Sequence, residues 1–218
     1  MAAVTARPPA PSRPAAPAAR RGPGELRLIG GRWKRRKLPV PDAPGLRPTP
    51  DRVRETLFNW LGQSLDGWRV LDAFAGSGAL GFEAASRGAA EVRLLEQDPR
   101  LARGLQASAH LLAPGPDSPL RVETAEACAW MRRAPPAGFE LLLLDPPFHQ
   151  GLDRTALQLA RPLLAPRGWI YLEAERAWPE AELAALGLRL HRQLRAGAVH
   201  AHLLQALEAA GPGPTLTA

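Results

Sequence analysis

Apolar runs of strand length and amphipathic stretches of helical length alternate along most of this chain. Arg69–Ala73, Glu91–Glu96, Leu120–Thr124, Phe139–Leu144 and Gly168–Glu173 read as strands. Leu80–Arg87, Pro99–Leu112, Glu126–Arg132, Arg154–Leu164 and Pro179–Leu186 read as the helices between and after them. This rhythm predicts an α/β fold with a mainly parallel sheet covered on both faces. Leu188–Leu194 and Val199–Leu207 meet around Gly197, too close for a crossover, so they predict an antiparallel pair. The expected sheet has seven strands, mainly parallel, and ends in a C-terminal antiparallel hairpin.

Upstream the pattern is different. Thr49 reads as the N-cap of a further helix, with Pro50 at its first position and Asp51 at the positive end of its dipole. Val53, Leu57, Trp60 and Leu61 form one stripe predicted to be buried, with Arg52, Arg54 and Glu55 off it. Leu26, Leu28 and Ile29 suggest a short strand ended by Gly30-Gly31, and Arg32–Pro48 reads as an extended arm with turns. Residues 1–24 are rich in Ala, Pro and Arg and lack acids, which predicts a disordered tail; six prolines there argue against the amphipathic helix of a transit peptide. The expected organisation is that tail, one domain over 25–208 with a basic arm over 25–48, and a flexible tail over 209–218.

Charge changes the picture more than composition does. Of the net +7, residues 1–54 hold 13 Lys/Arg against 3 Asp/Glu, and the rest holds 15 against 18. A basic arm on a mildly acidic body predicts a polyanionic partner, met by Arg32, Lys34, Arg35, Arg36 and Lys37. No apolar run approaches the length of a membrane span. A single cysteine, Cys128, excludes an internal disulfide framework and fits a reducing compartment; it reads as a small apolar filler on a helix. His191, His200 and His202 read as strand residues rather than metal ligands, and no metal site is expected.

Two motifs carry chemistry. Val70–Gly81 (VLDAFAGSGALG) places Gly76, Gly78 and Gly81 in a G-x-G-x-x-G turn between strand and helix, where backbone N–H groups meet a ligand. Glu96, twenty residues after Gly76, ends the next strand, where a carboxylate can accept both hydroxyls of a ribose. Taken alone, this turn suits a nicotinamide dinucleotide as well as any other nucleoside cofactor. Asp145-Pro146-Pro147-Phe148, directly after the apolar run Phe139–Leu144, forms an acid, a fixed carbonyl and a ring on one ledge. Such a ledge suits a planar base bearing an exocyclic amine. In an open parallel sheet both motifs face one crevice, at the point where strand order reverses.

Together DAFAGSG and DPPF resemble the class I S-adenosylmethionine-dependent methyltransferases that act on amine nitrogen. RLIGGRWKRRKLPVP (27–41), GLRPTPDRVRETLFNWL (45–61), LDAFAGSGALGFEAASRGA (71–89), LLEQD (94–98) and LLLLDPPF (141–148) are similar to the bacterial 16S ribosomal RNA guanine-N2 methyltransferase family. The resemblance covers about residues 26–207 and implies a Rossmann-like class I fold. It also implies S-adenosyl-L-methionine as cofactor, 16S rRNA in the small subunit or its assembly intermediate as partner, a cytoplasmic location and a monomer. In residue terms it implies that Gly76, Ser77 and Gly78 hold the methionine part, with Asp72 orienting the loop and Phe74 nearby. Glu96 would bind the ribose, and Ala125-Glu126-Ala127 would meet the adenine. Thr49 and Arg52 would lie near the cofactor carboxylate. Asp145, Pro146 and Phe148 would handle the target base, and Arg32, Lys34, Arg35, Arg36 and Lys37 the RNA phosphates. The ledge itself leaves DNA adenine or a protein glutamine open as targets, and a nicotinamide oxidoreductase or a non-catalytic RNA-binding module remain as readings from other classes.

Overall fold

The computed structural model describes residues 24–43, 46 and 48–207. The expected tails over 1–24 and 209–218 lie outside the described residues, except Gly24, which is the first residue of a strand.

The main sheet has seven strands in the order β5-β4-β3-β6-β7-β9-β8. β3 (Arg69–Asp72), β4 (Glu91–Glu96), β5 (Leu120–Thr124), β6 (Phe139–Leu144) and β7 (Leu164–Ala174) are parallel. β8 (Leu188–Ala196) and β9 (Val199–Ala206) form the closing hairpin, with β9 antiparallel to β7. Gly197 turns that hairpin at a positive φ of 62°, a conformation glycine adopts without steric cost. Cys128 lies buried on a short helix, and His191, His200 and His202 lie on β8 and β9, as the sequence predicts.

β6 ends in four consecutive leucines, Leu141–Leu144, because both of its faces are covered. Leu141 and Leu143 join the core under α1 (Asp51–Trp60), α2 (Ala79–Ser86) and α3 (Pro99–Leu112). Leu142 and Leu144 join the opposite core under α4 (Ala127–Met131) and α5 (Leu152–Ala160). α6 (Glu180–Ala185) packs Leu183 into that second core. One expected boundary moves. The helix over 154–164 instead ends at Ala160 and is followed by a 3-10 turn, Arg161–Leu163, because Pro162 breaks the helical ladder. β7 then starts at Leu164, four residues early, and its pairing with β6 is irregular near Phe139.

The largest corrections concern the arm. It is not an extended strap: β1 (Gly24–Arg27) pairs antiparallel with β2 (Lys37–Val40), and the basic run forms the connection between them. This hairpin is fixed to α2. Ile29 N donates to Glu83 Oε2 (2.9 Å), Arg32 N to the Ser86 carbonyl (2.7 Å) and Trp33 N to Ser86 Oγ (3.0 Å). A Cβ at Gly31 would overlap the Ser86 carbonyl. The buried stripe of α1 also differs from expectation. It is Val53, Arg54, Leu57 and Phe58, while Trp60 is half-buried. Arg54, placed off the stripe by its charge, is 1% exposed because the arm and α2 surround it with acceptors. Pro50, not Thr49, stands at the N-cap, and no side chain caps this helix.

Candidate active site

Four parallel strands end on or just before an acid: Asp72 on β3, Glu96 on β4, Asp145 after β6 and Glu173 near the end of β7. β3 and β6 are neighbours, and the chain leaves them in opposite directions, to β4 and to β7. The crevice of a doubly wound sheet opens at that switch point. The glycine loop and the Asp145 ledge lie on its two sides.

The glycine loop is shaped by its missing side chains. Gly76 and Gly78 have positive φ (50° and 77°), which side chains disfavour. A Cβ at Gly78 would strike Phe82 and Leu105, and one at Gly81 would crowd Asp72 and Leu94. Asp72, 2% exposed, accepts from Gly81 N (2.9 Å) and so fixes the first turn of α2. Burial pushes Asp72 up to about 7 against the pull of that bond, with the charges of Asp145 and Glu96 adding to the rise. Glu96 accepts from Gly76 N (3.0 Å) and Asp98 N (2.8 Å), which pins the loop and leaves a lone pair on each oxygen for further donors. Ser77 and Phe74 are half-buried, and Phe74 packs on the core beneath α4 and α5.

Two expected cofactor residues have other settings. Glu126 caps α4, accepting from Cys128 N (2.8 Å) and Ala129 N (2.6 Å), so its carboxylate points into a helix terminus. Arg52 is exposed on the first turn of α1. Thr49 is buried beside Glu173, whose titration it helps to hold down, and it does not cap α1.

The ledge keeps its expected order. Pro146 is buried, Pro147 exposed and Phe148 half-buried. Burial raises Asp145 to about 6. Asp72, Glu96 and Glu173 each receive hydrogen bonds from the chain. Among the described residues Asp145 receives none on its side chain; burial raises it, and its titration is tied to that of the neighbouring Glu173. Its carboxylate lies half-buried just beyond the end of β6, with its acceptor capacity unused by the described residues. Sequence reasoning missed Glu173 and Tyr171. Glu173 is 4% exposed, accepts from the Tyr171 hydroxyl (2.9 Å), and is raised to about 8 by burial and by the neighbouring charge of Asp145. The signal was available: an acid closing an apolar strand, as at Asp72, Glu96 and Asp145.

The predicted RNA cations sit elsewhere. Arg32, Lys34, Arg35, Arg36 and Lys37 are all exposed, Arg32 stacks over Trp33, and Lys37 pairs with Glu25 (3.0 Å). Arg36 donates to the carbonyl of Leu111, near the C-terminus of α3. α3 starts at the crevice and runs away from it for 14 residues, about 21 Å. The structure does not bring the basic run and the ledge together.

A seven-stranded sheet in this order, with a glycine loop after β3 and a closing antiparallel hairpin, is the class I methyltransferase architecture. Two solved structures share it. One from Escherichia coli is 39% identical, with a TM-score of 0.70, covering 84% of this chain and 98% of its own. One from Haemophilus influenzae is 35% identical, with a TM-score of 0.70, covering 85% and 100%. The chain belongs to the family described as conserved hypothetical protein 95, which matches residues 26–205. A curated relative, ribosomal RNA small subunit methyltransferase D of Escherichia coli, is 43% identical over 187 residues, 84% of this chain and 91% of its own. The protein of the same name from Haemophilus influenzae is 41% identical over 158 residues, 72% and 82%. The expected family and fold class are therefore borne out. Among the described residues no helix is long and apolar enough to cross a membrane.

Proposed function

We propose that this protein transfers a methyl group from S-adenosyl-L-methionine to the exocyclic N2 amine of a guanine in 16S ribosomal RNA of the small subunit, acting as a monomer in the cytoplasm. The observation that carries this reading is the Asp145 carboxylate, unbonded by its own chain and set beside Pro146 and Phe148 across the crevice from the glycine loop. The names of the relatives supply the ribosomal RNA.

The residues present fit the cofactor. Gly76 and Gly78 hold the positive φ that turns the loop into the start of α2, and Glu96 keeps lone pairs for a ribose. When bound, S-adenosylmethionine supplies an electrophilic methyl on a sulfonium. The chain's part is placement. Asp145 and the carbonyl of Pro146 accept the two N–H groups of the amine, which favours a pyramidal nitrogen and aims its lone pair. Phe148 stacks on the splayed base and offsets about 1–3 kcal/mol of unstacking. The amine proton leaves to the Asp145 carboxylate, whose raised titration suits a base near neutral pH.

Transfer of tritiated methyl to assembled 30S subunits, compared with naked RNA, tests the reading, with the modified base mapped. Label on guanine N2 is expected. Label on adenine or on protein, or no transfer to either substrate, would reject it.

Two predictions arise from the charges. Asp72, Asp145 and Glu173 are raised, so each must lose a proton to offer a full charge to a cation. Affinity for the cationic sulfonium should therefore rise from pH 6 to pH 8 relative to neutral S-adenosylhomocysteine, by about tenfold per proton released and unit of pH. The ratio of the two affinities cancels the amino-acid part they share. A ratio independent of pH, measured by calorimetry, would count against these acids facing the sulfonium. Replacing Arg35, Arg36 and Lys37 by alanine should flatten the salt dependence of RNA binding by about 2 in log–log slope. An unchanged slope would remove the RNA role of that run. The 14 residues of α3 between the run and the ledge further require a footprint of about 20 Å, so a short oligonucleotide holding only the target base should not show that slope.

A further inference from the structure

Between Asp145 and α5 the chain runs through a short loop, residues 146–151. Phe148, the face on which the base stacks, sits at its centre and is half-buried. Among the described residues the backbone of this loop makes one hydrogen bond to the rest of the chain: His149 N donates to Glu175 Oε2 (2.9 Å). The other oxygen of that carboxylate, Oε1, lies 2.7 Å from His149 Nδ1. Glu175 follows the last residue of β7, so the tie joins the ledge to the neighbouring strand. Packing does not replace it. A cleft of about 40 Å³ lies between the loop, at Pro146, Pro147 and Phe148, and the end of β7, at Glu173, Ala174 and Glu175. His149 also holds a φ of 64°, in the left-handed region that side chains disfavour. Such a conformation persists only where the surroundings over-determine it, and here Glu175 is the surrounding group that does so.

We propose that Glu175 is a positioning residue for methyl transfer: by gripping His149 at its backbone and its ring, it holds the preceding Phe148 as a fixed stacking face for the target base. This rests on the methyl-transfer reading. A splayed base gains from stacking only what is left after the ring beneath it has been ordered. With the grip in place, that ordering is complete before the base arrives. Without it, Phe148 samples several orientations, and each binding event must order it again. Both partners of the pair are exposed, so it contributes little to folding. Glu175 has no other hydrogen-bond partner among the described residues. Its effect therefore falls on the loop and not on the core, which separates positioning from a structural role.

The test uses the full chain, 30S subunits and radiolabelled S-adenosylmethionine. Glu175→Ala should unfold at the parent's urea concentration and bind S-adenosylmethionine with the parent's affinity, while its kcat/KM for 30S subunits falls about tenfold. Glu175→Gln keeps an acceptor for His149 N and should lose less. In a Phe148→Ala background the further loss of Glu175 should change kcat/KM by less than about twofold, because the face it holds is gone. Losses that multiply instead of overlapping would place Glu175 at another contact and overturn the proposal. An unchanged kcat/KM in E175A overturns it too, and so does an E175A that fails to fold, since the pair would then be structural. Backbone NMR order parameters of the unliganded protein give a second reading that needs no substrate. At Phe148 and His149 they should be about 0.85 in the parent and below about 0.6 in E175A. A loop equally ordered in both proteins, or already loose in the parent, overturns the proposal. If the parent transfers no methyl to 30S subunits while the order parameters respond as expected, the methyl-transfer reading is what fails, and the grip of Glu175 on the loop stands.

Discussion

Asp145→Ala should abolish methyl transfer while cofactor binding persists. Losing the charged acceptor for the amine and the acceptor for its proton should lower kcat about 10³-fold, which corresponds to about 4 kcal/mol of transition-state stabilisation. Asp145→Asn should fall less, since its amide oxygen still accepts one N–H but carries no charge. The fold should survive both. Asp145 lies beyond the end of β6, and its side chain receives no hydrogen bond from the chain that its removal would waste. The linkage even favours the variant. A carboxylate raised by burial contributes full stability only below its unfolded value, and that contribution is lost as pH rises through the folded value, about 6 here. At pH 8 the alanine variant of the unliganded protein should therefore be as stable as the parent or slightly more so, the usual signature of a residue retained for activity. Single-turnover transfer, calorimetry with S-adenosylmethionine and urea unfolding measure the three parts. Lost cofactor binding, or near-normal turnover, would sink the assignment of Asp145.

The sheet was legible because its signals are local and repeated. Apolar runs such as Phe139–Leu144 need both faces covered, and the short link at Gly197 permits only a hairpin. The positions of Asp72, Glu96 and Asp145 at one edge follow from that rhythm, since every parallel strand ends on the same side. What the sequence did not disclose is non-local. Lys37–Val40 becomes a strand only by pairing with Gly24–Arg27. Thr49 resembles an N-cap in sequence, but Pro50 takes that place and Thr49 is buried beside Glu173, more than a hundred residues away. Glu126 looks like a ligand for a base, but α4 begins at the next residue, and the N–H groups of Cys128 and Ala129 take its carboxylate. The basic run carries no sequence signal of its distance from the ledge. That distance depends on which ends of α2 and α3 the hairpin touches.

Arg54 is where the charge of a residue misled the reading of its position, and its loss should have the largest effect on stability. Its guanidinium binds four groups from three parts of the chain. Nε donates to the Thr49 carbonyl (3.1 Å), Nη1 to Glu83 Oε2 (3.2 Å), and Nη2 to the Arg27 carbonyl (2.9 Å) and Asp51 Oδ1 (2.6 Å). The arm hairpin, the start of α1 and the middle of α2 thus share one buried cation. Glu83, 0% exposed, is shared in turn with Arg87 Nε (2.9 Å) and Ile29 N (2.9 Å). Arg54→Met retains volume but leaves the buried Thr49 carbonyl and the part-buried Arg27 carbonyl without this donor, and Glu83 with half its compensation. Removing one partner of a buried pair costs about 3–5 kcal/mol, so unfolding should shift to markedly lower urea, and Tm should fall by about 10 °C for a domain of this size. Arg54→Met and Glu83→Gln should also be strongly non-additive, since each removes the same bond. A variant within about 1 kcal/mol of the parent would show the network to be dispensable. The consequence would extend to function. Thr49 lies beside Glu173 on a backbone that Arg54 holds, so a network that carries no energy could not be what keeps this segment aligned with the acids of the crevice.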